Sequence, residues 1–134
     1  MTTSPTRVIH ERHFTVAEAN ALLERVEPML RSLRGARNRL TGAEAHDALA
    51  GAAPGNGGGD PGRNVGEAFL ELRGLLLELQ ELGIVVRDID RGLIDFPAIL
   101  EGREVYLCWQ LDEPARIVFW HDLEAGFAGR QPLD

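Results

Sequence analysis

Six side chains of this 134-residue chain have types and positions suited to chemistry: Arg87, Asp95, Tyr106, Cys108, His121 and Arg130. Most of them fall in the run from Gly92 to Arg130. Asp95, Cys108 and His121 offer a carboxylate, a thiol and an imidazole, a donor set that suits proton transfer or a metal ion. Tyr106, Arg87 and Arg130 add a phenol and two guanidinium groups for polar or anionic contacts.

Each feature also has a plainer structural reading. Cys108 is a nucleophile only with a base in reach, and His121 is the one plausible base; otherwise it is a small buried apolar residue. Asp95, Cys108 and His121 could hold a metal, yet their spacing fits no structural-zinc pattern, so no metal or other cofactor is predicted. His10-Glu11-Arg12-His13 is one residue short of H-E-x-x-H and lies ahead of a helix cap, so it reads as a polar lead-in. The glycine-rich stretch Ala50 to Gly62 lacks the phosphate-binding G-x-x-x-x-G-K-[ST] pattern. Arg31, Arg34, Arg37 and Arg39 form a basic run that could meet RNA or an acidic partner. The alternative is a solvated helix face paired with Glu67 and Glu71.

The elements that must position these residues follow from periodicity. Thr15 and Glu18 form a capping box, with Phe14 and Ala19 placed to staple the entry. Apolar residues then recur at Ala19, Leu22, Leu23, Val26, Met29, Leu30, Leu33, Ala36 and Leu40, predicting helix one over residues 14–40. Pro28 predicts a kink or break near Asn20–Glu24. Residues 41–63 read as a flexible glycine-rich linker. A second stripe from Val65 to Leu82 predicts helix two over 64–82, closed by Gly83 and antiparallel to the first.

After Gly83 the period becomes two. Four strands are predicted: Ile84–Ile89, Leu93–Ala98, Arg103–Leu111 and Arg116–Asp122, in a meander over 84–122. Residues 123–134 form a tail that could fold back over the sheet, with Arg130 binding an anion or pairing with a carboxylate. The fold class is therefore α+β, a two-helix antiparallel hairpin followed by a four-stranded antiparallel meander, in one domain of 1–134.

Turn lengths set register, and register sets faces. A two-residue turn at Glu101-Gly102 places Asp95 opposite Cys108. Symmetric closure of the next loop places Cys108 opposite Phe119 and Tyr106 opposite His121. A bulged turn at Asp90–Gly92 places Arg87 opposite Asp95. One face then carries Val105, Leu107, Trp109, Leu111, Val118 and Trp120 for the helices. The other carries Arg87, Asp95, Tyr106, Cys108, Gln110, Ile117, Phe119 and His121, too polar for a plain core and too aromatic for a plain solvated face.

The opening Phe14-Thr15-Val16-Ala17-Glu18-Ala19-Asn20-Ala21-Leu22-Leu23 resembles an uncharacterised bacterial family, domain of unknown function twenty-two-oh-three. So do Gly92 to Ala98, Gly102 to Trp109, Phe119-Trp120-His121, Gly126-Phe127 and Gly129-Arg130. The likeness covers most of the chain outside the linker. It implies no activity. It implies that Asp95, Cys108, Trp109, Trp120 and His121 belong to a shared signature, and that a glycine commonly precedes Glu113 where this chain has Asp112.

Composition narrows the partners. The net charge of −7 argues against nucleic acid and against anionic lipid. One cysteine excludes an intrachain disulfide. Met1 to His13 has no apolar core of a secretory signal, and no apolar run is long enough to span a bilayer, so a cytoplasmic protein is expected. The first functional expectation is a self-associating or partner-binding module, a dimer foremost, using the aromatic-rich sheet face. The alternative is a small-ligand or metal-binding protein, or an enzyme, with its site on the Asp95/Cys108/His121 face.

Overall fold

A computed structural model describes residues 8–42 and 60–133 of the chain. Helix α1 runs Val16–Thr41 and helix α2 runs Asp60–Leu82. The capping box forms as predicted: Thr15 Oγ1 accepts the Glu18 N–H and the Glu18 carboxylate accepts the Thr15 N–H. Pro28 does not break α1. Its missing N–H frees only the carbonyl of Glu24, which sits on the exposed side of the helix, where water can satisfy it. Helix α2 begins four residues earlier than the apolar stripe indicates. Most of the predicted glycine-rich linker, residues 43–59, lies outside the described residues.

The helices pack antiparallel, since Arg39 meets Glu71 at 2.9 Å while Arg25, nearer the start of α1, meets Glu78 at 3.6 Å, nearer the end of α2. The basic run is spent on local partners. Arg31 reaches Glu27 and Asp112, Arg34 the Asp90 carbonyl, and Arg37 the Asp90 carboxylate. Glu67, the other expected partner, makes no ion pair among the described residues.

The sheet is antiparallel with order β1-β2-β3-β4-β5. Its strands are β1 (Val85–Asp88), β2 (Leu93–Leu100), β3 (Arg103–Trp109), β4 (Phe119–Asp122) and β5 (Gln131–Pro132). The fifth strand is a correction: the tail folds back along the edge of β4 instead of lying only over a face. The β2–β3 turn is the expected two-residue type, with Glu101 at φ 51° and Gly102 at φ 79°. Asp95 therefore pairs with Cys108, Tyr106 with His121, and Cys108 with Phe119.

Three expectations change. Arg87 does not oppose Asp95; Val85 does, and Arg87 sits in a bulge between Val86 and Asp88. Strand β4 starts at Phe119 because the preceding loop is irregular. The Pro114 carbonyl accepts the Trp109 Nε1–H at 2.9 Å and the Arg116 N–H at 2.6 Å. Alternation fails there, so Ile117, expected on the mixed face, turns into the core, while Val118 is only half-buried.

The core lies between the helices and one sheet face. Leu23, Val26, Leu30 and Leu33 of α1 and Leu79 of α2 pack with Ile94, Phe96, Ala98, Val105, Leu107 and Trp109. Phe14 closes one end, edge-on to Phe96. No helix among the described residues is long and apolar enough to cross a membrane.

Candidate functional site

Alternation leaves Asp95 on β2, Glu104, Tyr106 and Cys108 on β3, and Phe119 and His121 on β4 pointing away from the helical core. This face is not open. Asp95 is 1% exposed, Cys108 1% and His121 2%. The chain itself covers them from two sides. At one end, the His10 ring hydrogen-bonds the Tyr106 hydroxyl at 2.6 Å. At the other, the tail lays Arg130 over the Phe119 ring at 4.0 Å, with Phe127 stacked beyond it.

Between sheet and tail lies a cavity of about 230 Å³, lined by Arg87, Leu93, Asp95, Cys108, His121, Leu123, Glu124, Gly126 and Phe127. Four of the six sequence-derived candidates therefore meet there: Arg87, Asp95, Cys108 and His121. Tyr106 does not line the cavity; it packs against the His121 ring and beneath the Arg87 guanidinium. Arg130 is engaged elsewhere. It grips Glu113 through both terminal nitrogens at 2.8 Å, so the carboxylate alternative describes it.

Asp95 and His121 stand on strands flanking β3, diagonally across the gap between Tyr106 and Cys108. Asp95 Oδ1 lies 3.0 Å from His121 Nε2, and Asp95 Oδ2 accepts the Arg87 Nε–H at 2.8 Å. The bulge accounts for Arg87 meeting Asp95 although Val85 holds the opposing position. The other ring nitrogen, His121 Nδ1, donates to the Asp122 carbonyl at 2.7 Å. A backbone carbonyl and a carboxylate are both acceptors, so each ring nitrogen is met by an oxygen.

Cys108 completes the group. Its Sγ, a carboxylate oxygen of Asp95 and a ring nitrogen of His121 all lie within 4.8 Å of one another. Burial, then the negative charge of Asp95, pushes the thiol up to about 12 against the opposing pull of Arg130. A thiol held in this way is a poor nucleophile near neutral pH. Arg87 is raised above its ordinary value; burial opposes this, but the bond and charge of Asp95 outweigh it.

The reading of the lead-in as merely polar missed a second buried acid. Glu104 is 5% exposed and accepts the backbone N–H groups of Ile9 at 2.7 Å and His10 at 3.0 Å, and the His13 ring at 2.8 Å. Burial alone would raise its carboxyl, but these three donors hold it below its ordinary value. The available signal was parity: Glu104 shares a strand face with Tyr106 and Cys108, so it needed donors from somewhere.

A family model described as Uncharacterized conserved protein (DUF2203) matches residues 12–133. Neither a curated protein nor a solved structure matches the chain.

Proposed function

We propose that the chain, which belongs to the DUF2203 family of uncharacterised conserved proteins, is a small-ligand-binding domain whose site is the cavity over Asp95, Cys108 and His121. One observation carries this reading. Three buried polar side chains from three adjacent strands converge on one cavity that a charged guanidinium also lines. Removing an acid and an imidazole from water costs several kcal/mol per ion, and well-packed apolar residues often serve stability better. A face used only for packing has no need of them. The size of the cavity limits the ligand. At about 230 Å³ it falls below the roughly 300–1,000 Å³ of drug-sized sites, which favours an ion or a molecule of a few heavy atoms.

The polar groups set what fits. Asp95 offers a carboxylate, Arg87 a guanidinium and His121 an imidazole, and Leu93, Leu123 and Phe127 wall the space. The helices and sheet share one core, which supports reading residues 1–134 as a single domain. A lone buried thiol suits a reducing compartment, and we place the protein in the cytoplasm. Thermal-shift measurement on chelator-treated protein, with a panel of small ions and metabolites, tests the reading. A ligand should stabilise the native chain and lose that effect in Leu123→Trp, which fills the cavity. Equal stabilisation in both, or in neither, would contradict it.

A second reading, self-association, has its own support. Phe69, Leu70 and Leu77 on α2 are 54%, 65% and 44% exposed. Apolar side chains grouped on one helix favour contact with another chain, foremost a second copy. Light scattering tests it: a dimer that Phe69→Glu dissociates supports the reading, and a monomer at 100 micromolar opposes it.

A further inference from the structure

We propose that the cavity's ligand is a divalent transition-metal ion of the zinc class, held by Asp95 Oδ1, Cys108 Sγ and His121 Nε2. This rests on the pocket reading above and names the occupant.

The donor types select the metal. A thiol, an imidazole and a carboxylate together suit zinc and its neighbours, whereas calcium and magnesium take oxygen donors. Three protein ligands beside a cavity leave a fourth position for water or a small anion, as in catalytic rather than structural zinc sites.

The required movement is small. Bonds of about 2.0–2.3 Å in a tetrahedron put the donors roughly 3.3–3.6 Å apart. Asp95 Oδ1 and His121 Nε2 are 3.0 Å apart and must separate slightly. The widest pair, at up to 4.8 Å, must close by about 1 Å, within reach of side-chain rotation.

The surroundings are those of a ligand set. His121 Nδ1 donates to the Asp122 carbonyl, which turns Nε2 toward Asp95 Oδ1. Asp95 Oδ2 is held by Arg87, which leaves Oδ1 for the metal. Metal-ligating histidines and carboxylates are ordinarily oriented in this manner.

Cobalt(II) added to the chelator-stripped full chain tests the proposal. One equivalent should bind, with a thiolate-to-cobalt charge-transfer band in the near ultraviolet and the visible bands of a tetrahedral ion. Zinc should displace it. Cys108→Ser should abolish the charge-transfer band. His121→Gln should weaken zinc binding by more than the roughly 10–100-fold typical of outer-shell changes. Circular dichroism establishes that each variant is folded. The native chain decides the matter even if a variant is not: cobalt binding with no charge-transfer band, or no binding at 50 micromolar, overturns the metal. Stabilisation of stripped protein by a metal-free ligand that Leu123→Trp abolishes would then leave the pocket standing without the metal. Loss of both would remove the two together.

Discussion

Replacing Glu104 by alanine should detach the N-terminal lead-in and leave the rest of the fold intact. The carboxylate accepts three hydrogen bonds, from the Ile9 and His10 backbone and the His13 ring, at 2.7, 3.0 and 2.8 Å. Each bond to a charged acceptor contributes about 1.5–3 kcal/mol. Two things reduce the sum. Ile9 is 68% exposed, so its donor regains water on release. The freed residues also recover roughly 1 kcal/mol each of backbone entropy. A net loss of about 2 kcal/mol remains, or about 7 °C in Tm at roughly 3–4 °C per kcal/mol for a chain of this length. The effect depends on pH. The folded carboxyl of Glu104 lies below its ordinary value of 4.5. Its contribution is complete above that value and is lost as pH falls through the folded value. Denaturant unfolding of native and Glu104→Ala protein should show a gap that is present at pH 5 and closes in stronger acid. A gap under about 0.5 kcal/mol at pH 7, or one unchanged by acid, would refute the reasoning.

Three further outcomes are expected. Asp112 holds φ at +77°, a conformation that suits glycine, and its exposed pair with Arg31 at 3.6 Å contributes little, so Asp112→Gly should stabilise by about 0.5–1 kcal/mol in denaturant unfolding. Cys108, 1% exposed with its thiol pushed up to about 12, should resist alkylation at pH 8 in the folded metal-free protein and react once unfolded; labelling at similar rates in both states would contradict its burial. Zinc should raise the Tm of the chelator-stripped native chain and leave that of Cys108→Ser nearly unchanged; equal shifts in the two would contradict the thiol as a ligand.

Half of the site was legible because a single turn controls it. Glu101-Gly102 is a two-residue turn, and strict alternation on either side places Asp95, Tyr106 and Cys108 on one face, whereas His121 depends on the register across the next loop, where symmetric closure gave the right partner, Tyr106. Where alternation failed, the reading failed with it. The bulge at Arg87 and the irregular loop around Pro114 each break the two-residue period, so Arg87 and Ile117 were placed by a rule that does not apply there. Strand β5 has two residues, too few to carry a period. Glu104 met its donors across more than ninety residues of sequence, a pairing no local pattern encodes. Asp112 is a different case. The family likeness implies a glycine there, and the left-handed backbone at that position gives the physical reason.

The central claim is that the cavity over Asp95, Cys108 and His121 is a binding site. A crystal structure of the full chain grown with zinc, with anomalous scattering collected on both sides of the zinc edge, tests it most directly. The account predicts one strong peak in the cavity, within about 2.0–2.3 Å of Asp95 Oδ1, Cys108 Sγ and His121 Nε2. An intact 3.0 Å contact between Asp95 and His121, with no peak and no other density in the cavity, would contradict it.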